Sequence, residues 1–550
     1  MVRLALVFVL VCAGPAAAEP ARAPVLGVAQ NFGQSWAPEL LDAAEAAGIR
    51  HIRDELHWDA AEVDGAYVFD QPITSYPDAL ATRGIGLMLI TGGAHPDHDA
   101  YVTPHTSEGV AAYAAFFAEV AARFSAVEAV EVGNEMNSES FTSGPAQAAD
   151  IVGRAGYYAA LLEATSAAVR ARRPDVRIVG GAAHSIPLAW FTALSDLGAP
   201  AAMDSVALHP YTTPPEQFRR QVALLRAVPG FETMPIEVTE IGTPEASEAP
   251  ALLLKSHCQM ALAGVTSLAW YPLAPRGDGF APMIDETGAL TDVGTGWQML
   301  DEALDGLDVT DAAPDPFTYA CAYGASGLLL WGAPRALSLA DPALTAYDAA
   351  GRPAEVLTLA PDRPLLILSS GAAPEIGKNV LLGPQEVVAD SFDQFAYPGQ
   401  TGDGFDRFAR VAGENVPFVL GPGQQEGGVP WTPYLTTARD GWVRLTAEFL
   451  QLSVWDEGPV EIVHAFTAPE AMNVAVEAAL TPSSGTSDGV TLTLLKNGAE
   501  LTRVSVVGAS DLTHPDVHLA AGDLLEIVVG PGASAEGDTS DYRFTLRRVE

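Results

Sequence analysis

Residues 130–137 read VEVGNEMN. Val130, Glu131, Val132 and Gly133 have the texture of a buried strand, which then stops abruptly at an amide and a carboxylate, Asn134 and Glu135. A buried carboxylate without a partner is costly, so such an ending needs a reason. The same grammar recurs along the chain. Short apolar runs lie at 25–33 (VLGVAQNFG), 49–58 (IRHIRDELHW), 84–93 (GIGLMLITGG), 127–135 (VEAVEVGNE), 176–183 (VRIVGGAA), 203–211 (MDSVALHPY), 234–242 (MPIEVTEIG) and 265–273 (VTSLAWYPL). Helical, Ala-rich patterns such as SEGVAAYAAFFAEVAARF and AGYYAALLEATSAAVRARR separate them. Continuous apolar strands joined by helices predict an α/β fold with a parallel sheet covered by helices. Eight such units in roughly 280 residues fit a (β/α)8 TIM barrel over 19–305. The alternative, a doubly wound open sheet, is weakened because no Gly-rich dinucleotide fingerprint follows the first run.

Beyond the helical stretch GTGWQMLDEAL (294–304) the texture changes. FTYACAYG, GLLLWGAP, ALTAYDAAG and RPLLIL are short strand patterns with Gly, Pro and Asp turns, which predict a small β-sandwich over 306–372 packed on the barrel. SSGAAPEIGK (369–378) reads as a linker. Residues 379–550 are again all β and predict a larger C-terminal β-sandwich. Trp431, Tyr434 and Trp442 in it would stack on sugars if exposed, or fill its core if not. The acid-rich turns TGDGFDRF and AEGDTSDYRF offer Asp oxygens to Ca2+, although turn propensity alone accounts for them.

At the N-terminus, Arg3, the apolar run LALVFVLVCAG and the small residues Ala16–Ala18 read as a signal peptide over 1–18, implying a secreted or periplasmic protein. No later segment has the length and apolarity of a membrane span. The mature chain would keep Cys258 and Cys321, whose spacing is not of the metal-binding type. Both a disulfide and two buried thiols are compatible with it. The net charge is 29 − 69 = −40, with only three lysines, Lys255, Lys378 and Lys496. Such a surface repels phosphate backbones and anionic membranes, which argues against a nucleic-acid partner.

Polar residues at the C-terminal ends of barrel strands build the active site of this fold. Those ends carry Arg53, Asp54, Glu55, His57 and Trp58 after the second run, Asn134 and Glu135 after the fourth, His209 and Tyr211 after the sixth, Glu240 after the seventh, and Trp270 and Tyr271 after the eighth. Two carboxylates on opposing strands suit glycosidic bond cleavage. One protonates the leaving oxygen and the other attacks the anomeric carbon, about 5–5.5 Å apart in retaining enzymes. Asn134 would bond the sugar 2-hydroxyl, Tyr211 and Arg53 would keep the nucleophile ionised, and His209 would orient a carboxylate or hydroxyl. Trp270, with His57 and Trp58, would contact the sugar. No cofactor or metal is needed. A GxSxG elbow, which an esterase would require, is not apparent.

These motifs resemble clan A glycoside hydrolases, and most closely family 39. VEVGNEMN is similar to that clan's Asn-Glu motif on strand 4, IEVTEIG to its strand 7 nucleophile motif, and LHPY to the His-x-Tyr of strand 6. GLLLWG and AYDAAGRP…LLIL resemble the small β-sandwich after the barrel, and VGGAA…WF…GAPAAMDSVALHPY is a further shared pattern. The resemblance spans roughly 25–372. It implies Glu135 as acid/base, Glu240 as nucleophile and a retaining outcome on a polysaccharide or oligosaccharide. Transglycosylation, or non-catalytic carbohydrate binding in polysaccharide assembly, stand as alternatives. Many relatives carry Trp-Asn-Glu-Pro, whereas Gly133 and Met136 flank the pair here, suggesting a more open wall beside strand 4. Glu131 and Glu237, earlier in the same runs, are expected to bond polar groups below the site. Glu139 reads as solvated, Glu55 as a partner for Arg53, and His95 and His98 as sugar contacts or, with His57, a superficial zinc set.

Overall fold

A computed structural model describes residues 21–400, 402, 404–424, 429–486 and 488–549. The signal peptide expected over 1–18 lies outside these residues. Eight parallel strands close into a barrel: β1 Val25–Ala29, β2 His51–Glu55, β3 Gly86–Thr91, β4 Val127–Val132, β5 Arg177–His184, β6 Ser205–His209, β7 Ile236–Ile241 and β8 Val265–Trp270. β8 pairs with β1 through Ser267↔Val25, which completes the circle. The main helix after each strand forms the outer ring: α1 Pro38–Ala46, α2 Pro72–Thr82, α3 Ser107–Arg123, α4 Ile151–Arg172, α5 Leu188–Asp196, α6 Pro215–Leu225, α7 Ala249–Leu262 and α8 Asp292–Leu304. Side-chain oxygens of Thr106, Asp150 and Thr291 accept from the backbone N–H three residues on and so fix the starts of α3, α4 and α8. The core between the ring and the sheet is continuous and rich in Phe, Leu, Ile and Val.

Two strand irregularities matter for the site. The β5–β6 register shifts between Gly180 and Ala183, and the β7–β8 register shifts between Val238 and Ile241. Such bulges re-aim side chains at barrel rims. The first redirects the end of β5, where Gly181 and Ala182 both adopt positive φ. The second surrounds Thr239 and Glu240, whose side chains both enter the polar cluster at the mouth of the barrel.

The small sandwich extends past the expected 306–372 at both ends. Ala21–Arg22 pairs with Asp308–Asp311 at the edge of its six-stranded sheet, and Val380–Leu382 pairs with Arg335–Leu339 in its second sheet. The stretch expected to be a linker is therefore a turn inside this domain, tied by Ser369 Oγ to the Ala372 carbonyl and by Asn379 to the Glu375 N–H. Cys258 on α7 and Cys321 on strand Thr318–Tyr323 form a disulfide, with Cα atoms 5.7 Å apart, that fastens the small sandwich to the barrel.

The C-terminal domain is a β-sandwich with its own core, its two layers bridged by the strand Glu414–Gly421. It docks on α6. Gln217 Nε2 donates to the Phe392 carbonyl (2.8 Å) and Arg220 to the carbonyls of Asp393 and Phe395. Gln400 Nε2 returns a bond to the Arg220 carbonyl (2.8 Å). Nearer the barrel mouth, the Leu188 N–H donates to the Pro422 carbonyl (2.7 Å).

Candidate active site

The mouth of the barrel is organised around Arg53. This side chain, 3% exposed at the end of β2, donates to both oxygens of Glu131 (2.5 and 3.1 Å), to Asn134 Oδ1 (2.9 Å) and to Glu240. Burial works against the guanidinium charge, but Glu131 and Glu240 outweigh it and hold the group firmly charged. Glu131 is fully buried. Burial alone would raise its carboxyl, yet Arg53 and His209 hold it at about 2. Glu131 thus anchors the cation that contacts Glu240, as expected for a carboxylate below the site.

Glu240 receives a second bond, from the Tyr211 hydroxyl (2.8 Å). Burial and then Glu240 push the Tyr211 phenol well above its ordinary value, so it remains a donor. Glu135 lies opposite. Its Oε1 is 3.0 Å from His209 Nδ1 and 3.1 Å from His184 Nδ1. Burial pushes this carboxyl up, but the two imidazoles outweigh it and lower it to about 2. His209 is fully buried, with Nε2 2.9 Å from Thr239 Oγ1. Burial disfavours its charge, and Glu240, Glu131 and Glu135 together raise it to about 9. One ligand atom each from Glu135, His209 and Glu240 lie within 4.8 Å of one another. This is the one His/Cys/Asp/Glu set among the described residues with metal-like spacing, and the guanidinium of Arg53 already supplies a cation to it.

Glu135 adopts φ 44°, a left-handed conformation that costs a non-Gly residue energy and persists only where surroundings impose it. Gly133, at φ 81°, makes the preceding turn. A Cβ there would meet Met136 Cγ at 2.5 Å. The wall beside strand 4 is therefore not left open by Gly133, because the Met136 side chain occupies that space.

A cleft of about 490 Å3 opens beside this cluster, lined by Arg53, Asn134, Met136, Glu240, Tyr271 and Arg276 among others. The structure brings Arg53, Asn134, Glu135, His209, Tyr211 and Glu240 together. Three other expected sugar contacts are not presented to the cleft. Trp270 is 0% exposed and its indole N–H donates to the Ala281 carbonyl, so it has no free face; its neighbour Tyr271 lines the cleft instead. Trp58 is also wholly buried, stacked on His98 and bonded to Glu62. His57 turns to Glu55, whose Oε1 lies 3.1 Å from its Nε2, and does not line the cleft. Glu55 accordingly partners His57 and Gln34 rather than Arg53. His95 packs against Trp58 as well, so the histidines of that loop brace an aromatic cluster.

The sequence reading does not reach His184, and it places Trp431 among the sugar-stacking or core rings of the C-terminal sandwich, away from the barrel mouth. His184 lies one residue beyond the apolar run that marks β5. Trp431 belongs to the C-terminal sandwich, and its ring centroid is 4.5 Å from that of His184. Of the other two aromatics expected to stack on sugars, Tyr434 is buried and Trp442 is 59% exposed. At the turn around 535–544, Asp538 accepts from Thr486, and that region holds no metal-like set among the described residues. Residues 401 and 403 of the other acidic turn lie outside the described residues.

No family model and no curated protein matches the chain. Among solved structures, the chain is similar to a family 39 glycoside hydrolase from the gut symbiont Bacteroides cellulosilyticus WH2. The two share 17% identity over 64% of this chain and 81% of that one, with a TM-score of 0.52. A family 39 β-xylosidase from Caulobacter crescentus is similar at 18% identity over 65% of this chain and 98% of that chain, with a TM-score of 0.48. The first likeness shows that the barrel with an appended β-sandwich is a fold shared with a family 39 glycoside hydrolase.

Proposed function

We propose that the chain is a retaining O-glycosyl hydrolase acting on an oligosaccharide or polysaccharide. The observation that carries this reading is the pair Glu135 and Glu240, with carboxylate oxygens within 4.8 Å of each other at the mouth of the barrel. That spacing suits direct nucleophilic attack, because inverting enzymes leave about 6.5–9.5 Å between carboxyls for a water. Glu240 attacks the anomeric carbon as the glycosidic C–O bond breaks, and the leaving oxygen takes a proton from Glu135. Water then attacks the glycosyl-enzyme, giving its proton to Glu135 and releasing Glu240.

The surroundings divide the labour. Arg53 and Tyr211 both donate to Glu240 and hold it aimed. Asn134 is held through its Oδ1 by Arg53, which leaves its amide N–H groups for a sugar hydroxyl. Glu135 needs a proton for the first step, and in the resting site His209 beside it holds that proton. A sugar covering the carboxylate removes its remaining hydration, which favours transfer of the proton from imidazole to Glu135. Export forms part of the proposal. The disulfide Cys258–Cys321 supports it, since such bonds persist in oxidising compartments.

The test is reducing-end release across bacterial and plant polysaccharides and 4-nitrophenyl glycosides, with the anomer of the first product read by NMR. The reading expects retained configuration and loss of release in Glu240→Gln. An inverted product, or full activity in that variant, overturns it. Release accompanied by transfer to added sugar acceptors identifies the transglycosylase variant of the same mechanism.

A further inference from the structure

Two cavities lie near the carboxylate pair, and only one belongs to the barrel alone. The cleft of about 490 Å3 includes Glu240 in its lining. A second cavity, of about 380 Å3, lies between the loop after β6 and the C-terminal sandwich. Trp431 forms part of its wall and meets His184, whose Nδ1 is 3.1 Å from Glu135. The nucleophile thus lines one cavity, and the partner of the acid packs against a wall residue of the other.

The second cavity has the chemistry of a sugar site. Trp431 and Phe449 give it aromatic surface, while Gln217, Gln221, Thr446 and Gln451 give it neutral donors and acceptors. Its charged lining is balanced between Arg444 and Glu448. Gln217 is 2% exposed, and its Oε1 has no hydrogen-bond partner among the described residues although its Nε2 is bound to the Phe392 carbonyl. A buried amide oxygen left unpaired costs free energy unless a ligand group satisfies it. The walls are held in place, because the sandwich is hydrogen-bonded to α6 through Arg220 and Gln400 and to the start of α5 through Pro422.

We propose that the C-terminal sandwich completes the active cleft, with Trp431 and the interdomain cavity behind it holding the leaving-group end of an oligosaccharide. The assignment rests on the glycosidase reading. The acid must lie within hydrogen-bond reach of the glycosidic oxygen, so the sugars that depart lie on the side of Glu135. His184 and Trp431 stand on that side. Trp431 offers a departing sugar a flat apolar face, and the amides behind it bond the hydroxyls of the next.

The experiment compares kcat/KM on an oligosaccharide of three or more residues with kcat/KM on the 4-nitrophenyl monoglycoside of the same sugar. Trp431→Ala lowers that ratio about tenfold, as expected for losing a stacked ring, and Trp431→Phe restores most of it. A ratio unchanged in Trp431→Ala, or equal losses on both substrates, overturns the proposal. The same oligosaccharide is titrated calorimetrically into Glu240→Gln with and without Trp431→Ala, where about tenfold weaker binding is expected and equal binding counts against the site. If the wild-type protein hydrolyses no glycoside at all, the hydrolase reading falls. Titration of wild type and Trp431→Ala with xylo- and gluco-oligosaccharides then decides the cavity separately: weaker binding in the variant keeps it as a carbohydrate site, and equal or absent binding removes it.

Discussion

β4 holds Glu131 and the turn after it holds Glu135, while β7 holds Glu237 and Glu240, and the inner and outer positions are built differently. Low on β7, Glu237 is 2% exposed, and its oxygens are satisfied by Arg177, Ser205 and Ser267. Low on β4, Glu131 is enclosed by Arg53, Thr239 and His209. At the mouth, Glu240 lines the cleft, and the partners of Glu135 and Glu240 are imidazoles and a phenol, groups that move or direct protons. A cavity of about 440 Å3 also opens at the lower end, beside His51, Arg177 and Glu237, but its buried carboxylate is already neutralised. The lesson is that burial and charge alone do not mark chemistry. Chemistry requires carboxylates near each other whose bonding is incomplete on the side facing a cleft.

The sharpest way to break this comparison is to neutralise one glutamate of β7 at each level. Glu240→Gln is expected to reduce glycoside hydrolysis to the detection limit with little change in unfolding midpoint. Glu237→Gln is expected to keep kcat and to lose about 1.5–3 kcal/mol of stability, because it weakens hydrogen bonds to a buried charge. Similar activity losses in both would erase the distinction. Arg53 links the levels, so Arg53→Met should affect both. Stranding Glu131 costs about 3–5 kcal/mol in denaturant unfolding, and kcat/KM falls with it. A purely structural effect belongs to the disulfide. Cys258→Ser removes a cross-link with a sequence separation of 63, worth about 4 kcal/mol in the chain-entropy account. Its Tm should fall, while the Tm of the wild type should fall comparably on reduction.

The smallest effect is the pH dependence of the cluster. His209 is raised to about 9 from 6.5, so it stabilises the fold fully below its ordinary value and loses that contribution as pH rises through 9. Glu135 is lowered from 4.5 to about 2, so its contribution is present above 4.5 and lost as pH falls toward 2. Stability from these groups therefore peaks between about 4.5 and 6.5. In His209→Asn the alkaline decline between 6.5 and 9 should flatten in a Tm-against-pH series, and an unchanged slope would separate His209 from it.

Much of this was legible in the chain because the barrel writes its strands as continuous apolar runs and ends them in polar residues. Arg53, Asn134, Glu135, His209, Tyr211 and Glu240 follow from that rule. What was not legible has physical causes. The bulge between Gly180 and Ala183 carries β5 one residue further than its apolar run, so His184 was passed over. Position at a strand end does not say which way a ring points, so Trp270 and Trp58 read as sugar contacts although both are core. Ala21–Arg22 and Val380–Leu382 join the small sandwich through pairings distant in sequence, which local pattern does not carry. Trp431 reaches the site from another domain, 247 residues after His184 (431 − 184), and only the docking of that domain brings them together.

The central claim is a covalent intermediate on Glu240. Its most direct measurement is incubation of the protein with a 2-deoxy-2-fluoro glycoside bearing a 2,4-dinitrophenyl leaving group, in the sugar series that the panel shows to be hydrolysed, followed by peptide mass spectrometry. The account predicts time-dependent inactivation and one added glycosyl mass on the peptide containing Glu240. A label on Glu135 or elsewhere, or undiminished turnover with no label, would contradict it.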